Sequence, residues 1–304
     1  MDSSSPIALR VDLQRIAANA RHIAQKTGVA VYPVIKANAY GLGAQRVAPV
    51  LADSADHFCV FSLEEAQAAR IWQLTGKPAI ALGPPTTLDP RPWIQARVRP
   101  AVSTLEQAQA LRQARPVLCV DTGMQRFACP PAQVGQILAA GEIEEAFTHA
   151  ARLDQALRLA NMLGDRILRL HAAGSALLDQ PAAWLDAVRP GLALYEGAVH
   201  LSTRLIEARD TTGPVGYTGF EARRIGVILC GYSNGLRPGP CLVEGEPCRI
   251  REVGMQSAYV EIGAGHRVGD QVVLLGDRIT PQMLAAEWAC TPHEVLMRLV
   301  RGAA

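Results

Sequence analysis

The chain has 304 residues, 49% of them hydrophobic, and its 30 Lys plus Arg against 28 Asp plus Glu leave a net charge of +2. So small a charge on scattered arginines gives no electrostatic footprint for nucleic acid or an acidic membrane, and a small-molecule ligand is the expected partner. The length exceeds what one core fills, so a barrel, which reaches about 250 residues as one domain, plus a smaller unit is the natural prior.

Met1-Asp2-Ser3-Ser4-Ser5-Pro6 shows no basic start followed by an apolar core, so no export signal is expected. No later segment approaches the roughly 18 uninterrupted apolar residues of a membrane span. Ile7 to Leu13 alternates weakly like a strand, and Leu13, Ile16, Ala17, Ala20, Ile23 and Ala24 then repeat at helical spacing until Gly28 stops them. From Val29 short apolar runs alternate with amphipathic helices. The runs are 29–35, 57–61, 78–82, 99–103, 116–120, 145–149, 167–171 and a short piece near 188–194. Eight runs is the number of strands in a (β/α)8 TIM barrel.

Helix starts agree, because Ser62-x-x-Glu65 and Thr104-x-x-Gln107 can each satisfy orphan amides reciprocally just after a strand. A doubly wound sheet would alternate similarly, but often carries a Gly-rich loop after its first strand, where this chain has Lys36. Beyond about Gly197 the texture changes. Runs 223–231, 241–250, 258–262 and 271–275 read as strands separated by Gly-Pro turns, with Glu244-Gly245 as a hairpin turn. A C-terminal, mainly β domain is therefore expected, ending in a helix begun by Thr291-Pro292-His293-Glu294. The expected division is an N-terminal strand at 1–10 joining the β domain, a barrel at 11–198, and the β domain at 199–304.

Lysine is scarce, with only Lys26, Lys36 and Lys77. Lys36 closes a buried run, and desolvation there would lower its pKa and supply the neutral amine a Schiff base requires. By spacing alone, a strand-terminal lysine reaching water fits equally well. In a barrel the chemistry sits where strands end and βα loops begin. Asp121-Thr122-Gly123-Met124-Gln125-Arg126 follows the fifth run, His149 ends the sixth, and His171-Ala172-Ala173-Gly174-Ser175 closes the seventh. Each could singly be a satisfied core or rim residue. The seven cysteines contain no C-x-x-C pair, which fits reduced thiols and a cytoplasmic setting better than disulfides or a zinc site.

Val34-Ile35-Lys36-Ala37-Asn38-Ala39-Tyr40-Gly41-Leu42-Gly43 resembles the pyridoxal-phosphate lysine motif of the alanine racemases, a fold-type III family whose barrel is joined to a β domain. Later segments match in the same order from about Ala8 to Leu299. The resemblance implies pyridoxal 5'-phosphate as cofactor, with Lys36 and Tyr40 at its site. Asp121 to Arg126 resembles D-T-G-M-G-R, whose arginine contacts the substrate carboxylate, a task suited to a planar bidentate donor. His171 and Ser175 resemble H-x-x-N-S, where histidine packs on the pyridine ring and the serine region holds phosphate. Arg189-Pro190-Gly191-Leu192-Ala193-Leu194-Tyr195 resembles R-P-G-I-A-L-Y. Its arginine bonds the pyridine nitrogen, and its next residues, here Gly191 and Leu192, offer amides to phosphate. An arginine does not easily protonate that nitrogen, which weakens the ring as an electron sink and favours proton exchange over transamination or decarboxylation.

A racemase needs a base on each face of the α-carbon. Gly231-Tyr232-Ser233-Asn234-Gly235 resembles G-Y-x-D-G, which makes Tyr232 the second base, delivered across a homodimer interface. By the same resemblance His149 tunes that tyrosine, Met255 supplies a backbone contact to substrate, and His293 stands where a tyrosine reaches the phosphate. Cys119 departs from a lysine that becomes carbamylated, Asn234 and Gln256 from aspartates, and Gly174 from an asparagine, and the chain is short between His149 and His171. These changes surround the substrate and phosphate but spare Lys36, Tyr232 and Arg189. The implied function is interconversion of L- and D-alanine or a related small amino acid without a metal. Alternatives are racemisation of another amino acid or derivative, a fold-type III decarboxylase or aldolase, and a non-catalytic cofactor carrier.

Overall fold

The computed structural model describes residues 6–164, 166 and 168–303. It divides into two compact units. One runs Leu13–Glu196, and the other joins the segment up to Asp12 with the chain from Gly197 onward.

In the first unit, Leu13–Thr27 is a helix because Ile16, Ala20, Ile23 and Thr27 recur on one buried face, and it ends at Gly28, whose φ of 67° is a left-handed stop. After β1 (Ala8–Val11), the eight strands of this unit are β2 (Ala30–Val31), β3 (Phe58–Val60), β4 (Ala79–Ala81), β5 (Val98–Val102), β6 (Val117–Cys119), β7 (Glu145–Ala150), β8 (Arg169–Gly174) and β9 (Ala187–Arg189). All their pairings are parallel, in the order β2-β9-β8-β7-β6-β5-β4-β3. The ring closes because the chain just after β2 bridges β3. Val34 pairs with Cys59, and Ile35 N donates to Cys59 O at 2.8 Å while Cys59 N donates to Pro33 O at 2.8 Å. The result is a (β/α)8 barrel filled with side chains, among them Tyr32, Val34, Cys59, Ile80, Cys119 and Phe147.

The eight expected runs each contain a strand, with differences at the edges. The seventh run was expected to begin at Ile167, which lies outside the described residues, and its strand is Arg169–Gly174. The eighth was placed at 188–194, but the strand is Ala187–Arg189 and Leu192–Tyr195 is a 3-10 turn, since Pro190 cannot donate to a ladder. At the Thr104 start Gln107 N donates to Thr104 Oγ1 at 3.2 Å, but the Gln107 side chain reaches one residue further back, its Oε1 accepting from Ser103 N at 2.9 Å. The Ser62 start is built the same way, with Glu65 N donating to Ser62 Oγ at 3.3 Å and the Glu65 side chain reaching past Ser62. Its carboxylate accepts from Phe61 N at 2.8 Å and from Ala37 N at 3.0 Å.

The second unit is an antiparallel sheet in the order β1-β10-β11-β14-β13-β12-β15, with β10 also paired to β15. Its strands are β10 (Val199–Asp210), β11 (Arg224–Ile228), β12 (Gly239–Val243), β13 (Glu246–Val253), β14 (Ala258–Glu261) and β15 (Gln271–Leu275). The β10–β15 pairing closes the sheet on itself, which protects edges. Glu244-Gly245 turns β12 into β13 with φ values of 48° and 82°, the primed hairpin geometry. Strand β10 is twelve residues long and was not anticipated, nor was the helix Pro281–Trp288, which Thr280 caps. The final helix, Pro292–Ala303, is capped by Thr291 Oγ1 as expected, while Glu294 pairs with Arg298 instead of closing the box.

Candidate active site

Lys36 leaves the end of the first barrel strand and the backbone then does something costly. Ala37, Asn38, Ala39 and Tyr40 have φ of 53°, 56°, 53° and 57°, one turn of left-handed helix built without glycine. Each such residue costs about 1–2 kcal/mol, so the turn is held by its surroundings. Ala39 N bonds Ile35 O at 2.8 Å, Gly43 N bonds Asn38 O at 2.9 Å, Ala44 N bonds Asn38 Oδ1 at 2.8 Å, and Glu65 anchors Ala37 N. Tyr40 is thereby buried with its ring centroid 5.1 Å from that of Tyr195. Burial pulls the Lys36 ammonium below its ordinary pKa, and the nearby positive charge of Arg126 pulls further, against the raising effect of Glu65.

The loop after β6 presents Arg126 toward solvent. Asp121 Oδ1 accepts from Gly123 N at 2.8 Å and Gln125 N at 3.0 Å, and Gln125 and Phe127 on either side of Arg126 both adopt positive φ. The guanidinium lies 5.8 Å over the Phe127 ring. Cys119 is buried beneath this loop, and burial pushes its thiol up to about 12, so it is a neutral group.

Arg189 is buried at the end of β9. It reaches His171 Nδ1 at 2.7 Å, Thr148 O at 2.5 Å and Ala172 O at 3.2 Å, and it lies 4.7 Å over Phe147. His171 is fully buried. Phe147 stacks on it at 5.3 Å, Tyr32 meets it edge-on at 5.2 Å, and its Nε2 stands 3.2 Å from Glu145 Oε1. Burial, and then Arg189, pull the imidazole down to about 4, so it is neutral. Burial would raise the Glu145 carboxyl, but His171 and Arg99 outweigh it and hold it below the ordinary carboxylate range. Arg189 thus meets Nδ1 of His171 and Phe147 covers one face of its ring.

At the mouth of β8 and β9, Ser175 Oγ accepts from Gly191 N at 2.9 Å and Ala193 N at 3.1 Å. The two amides meet on the serine oxygen, whose own proton is left to donate to a phosphate oxygen, and the amides lie within reach of the same anion. A side chain at Gly191 would place its Cβ 2.3 Å from Tyr40 Oη, so only glycine allows this approach. Leu192 opens the following 3-10 turn. A phosphate cradle, a desolvated lysine and a buried arginine on one barrel rim fit pyridoxal phosphate. Lys36 would hold its aldehyde carbon, Arg189 its ring nitrogen, and the Ser175–Gly191 nest its phosphate.

His149, the fifth residue of β7, is exposed. In the second unit, Tyr232 and Met255 are brought together by the backbone. Tyr232 N donates to Gly254 O at 2.9 Å and Ser233 Oγ to Met255 O at 2.7 Å, leaving Tyr232 57% and Met255 61% exposed. Asn234 Nδ2 ties this turn to Gly302 O at 2.8 Å, whereas His293 lies at the opposite end of the same helix, about 13 Å along its axis. Sequence reading missed Glu65, Thr148, Phe147 and Glu145. A carboxylate in the capping pattern was the available signal for Glu65, and the others carried none.

A barrel with this lysine, nest and arginine, followed by an antiparallel β domain, defines a fold-type III pyridoxal-phosphate enzyme. Residues 11–198 match the family profile for the alanine racemase N-terminal domain and residues 199–303 that for the C-terminal domain. The alanine racemase of Azoarcus sp. strain BH72 is 30% identical, with 97% of this chain and 98% of that one covered. That of Aeromonas hydrophila is 30% identical over 88% and 90%. The biosynthetic alanine racemase of Pseudomonas aeruginosa superposes with a TM-score of 0.87 at 27% identity over 97% of each chain. The Bartonella henselae alanine racemase, which carries covalently bound pyridoxal phosphate, shares the fold with a TM-score of 0.84 at 23% identity over 96% and 97%. The chain belongs to the alanine racemase family, whose members are pyridoxal-phosphate-dependent isomerases.

Proposed function

We propose that this protein is a racemase interconverting L- and D-alanine or a closely related small amino acid, working as a cytoplasmic homodimer with Lys36 and Tyr232 as opposed bases. The observation that carries the reading is the desolvated Lys36, immediately followed by a strained left-handed turn, on the same rim as Arg189 and the Ser175–Gly191 nest. Pyridoxal phosphate, when bound, withdraws electrons from the α-carbon and so acidifies its proton. Lys36 takes or returns that proton on one face, and Tyr232 does so on the other. Arg126 grips the substrate carboxylate bidentately, with the backbone at Met255 as a further contact. Arg189 holds the ring nitrogen and His171 acts through it. Ser175, Gly191, Leu192, Tyr40 and His293 serve the phosphate, and His149 tunes Tyr232.

The barrel at 11–198 binds the cofactor, and residues 1–10 with 199–304 form the domain that presents Tyr232 across the dimer interface. Support for a dimer is the exposed pair of Tyr232 and Met255, two large groups otherwise left to water. Seven free thiols support a reducing compartment.

The test is α-proton exchange in deuterated water with pyridoxal phosphate across L- and D-amino acids, reading the chirality of each product. Exchange with inversion for alanine or another small amino acid is expected, and Tyr232→Phe should lower that rate by about 10²–10⁴-fold while the cofactor stays bound. Full activity in Tyr232→Phe would sink the two-base assignment. Carbon dioxide release would point to a decarboxylase, and binding without exchange to a carrier.

A further inference from the structure

The N-terminal end of the barrel strands, opposite Lys36, is the end that normally serves stability alone. Here it opens into a cavity of about 490 Å³, within the size range of small-molecule pockets. Its walls come from strand starts, with His57 before β3, Pro78 before β4, Arg99 in β5, Arg115 before β6, Glu144 before β7 and Arg169 opening β8. Helical Trp72, Trp93 and Ile94 add an apolar side, of which Trp72 is 39% and Ile94 42% exposed.

Four arginines, Arg97, Arg99, Arg115 and Arg169, face this space against two carboxylates, Glu144 and Glu145. The carboxylates are already committed, Glu145 to Arg99 and Glu144 to Arg115 at 3.1 Å. Arg169 donates to Tyr32 Oη at 2.9 Å and feels the charges of Glu145 and Asp56, and Arg97 stacks 5.3 Å over Trp72. Four arginines against the lining Glu144 and Glu145, with Asp56 beside Arg169, leave a net positive charge next to an aromatic and aliphatic wall. Arg99 Nε donates to Arg115 O at 2.9 Å, which fixes the guanidinium that faces the cavity. His57 adds no charge, because burial pulls it down to about 4.

We propose that this N-terminal cavity is a second binding site, separate from the Lys36 rim, for a small carboxylate carrying an apolar aromatic or branched body. The carboxylate would sit among Arg97, Arg115 and Arg169 and the body against Trp72 and Ile94. Uncharged molecules leave the excess cations unmatched, and small hydrophilic anions leave the apolar wall wet. An occupant would lie beside Arg99 and Arg169, the groups that hold Glu145 and Tyr32.

The test is calorimetric titration of the holoprotein with benzoate, with benzamide as the uncharged isostere. Three proteins are compared: wild type, the double variant Arg97→Gln/Arg115→Gln, and Arg126→Gln. Both cavity arginines substituted are exposed, and circular dichroism checks that the double variant folds. Saturable benzoate binding is expected in wild type and in Arg126→Gln, weakened at least about tenfold in the double variant and for benzamide. Binding lost in Arg126→Gln would place benzoate at the substrate arginine and overturn the proposal. So would unchanged binding in the double variant, equal binding of benzamide, or no saturable heat.

Discussion

At the C-terminal end of the barrel strands, Lys36, Arg126 and Arg189 are three cations, and among the described residues none has an ion pair. At the N-terminal end, Glu145 gathers Arg99, His171 and the hydroxyl of Tyr32 at 3.0 Å, and Tyr32 in turn accepts from Arg169. One sheet therefore carries charge in two ways. Below, a buried carboxylate is paired on several sides and its removal would leave cations stranded. Above, cations are aimed outward or held by neutral groups, which keeps them for anionic ligand atoms. The comparison teaches that substitution at the upper end should cost reaction rate, and at the lower end stability.

The largest effect is expected above. Lys36→Ala should reduce proton exchange by about 10³-fold or more and abolish the absorbance of covalently held pyridoxal phosphate. The denaturation midpoint of the apoprotein should hold or rise, because a half-buried ammonium has been removed. A variant that still binds the cofactor covalently would move the role to another lysine. Below, Glu145→Gln should destabilise the protein by about 3 kcal/mol, since Arg99, only 15% exposed, loses its counter-charge. Denaturant unfolding measures this, and a loss under about 1 kcal/mol would show that solvent already screens the pair.

Acid should sharpen the same contrast. His171 titrates near 4 in the fold against an ordinary 6.5, so between those values the unfolded chain binds the extra proton. Stability therefore falls as pH drops from 6.5 toward 4, by up to about 3 kcal/mol from this group. Glu145, held below the ordinary carboxylate range, loses its contribution at still lower pH and in the same direction. Unfolding midpoints at pH 7 and 4.5 test the sign. His57, pulled down to about 4 by burial, acts in the same direction, and a flat profile would mean that both imidazoles take up their protons as readily in the barrel as in the unfolded chain.

The barrel was legible because strands such as β3, β4 and β6 are short, fully buried apolar runs bounded by helix signals, and the capping threonine and serine mark the strand ends where function collects. The upper site was legible because its residues are consecutive in short segments. The lower network was not, since Tyr32 and Glu145 stand 113 positions apart and meet only through the closed sheet. Nor was the left-handed turn, because Ala37-Asn38-Ala39-Tyr40 carries no glycine to announce it and tertiary bonds impose it. Strand β10 went unread because its inward Val199, Leu201, Thr203 and Leu205 alternate with charged and polar residues, and its second half is largely solvent-facing.

The smallest expected effect isolates the packing of the upper end from its charges. Gly191→Ala puts a methyl 2.3 Å from Tyr40 Oη and 3.6 Å from Val34 Cβ, so one of two things must give. The tyrosine hydroxyl can shift, loosening the stack on Tyr195 and the left-handed turn that carries Lys36. Alternatively the Gly191 amide can withdraw from Ser175 Oγ and the nest opens. Either way the cost should be about 1–3 kcal/mol, with a similar factor lost in cofactor affinity. Tyr40→Phe separates the two, because it removes the oxygen and leaves the ring carbon 3.3 Å from the new methyl. If the double variant Gly191→Ala/Tyr40→Phe recovers most of the cofactor affinity, the clash with the hydroxyl was the whole effect and the nest is intact. If affinity stays low in the double variant, the Gly191 amide itself was displaced, and the phosphate cradle depends on backbone position independently of Tyr40.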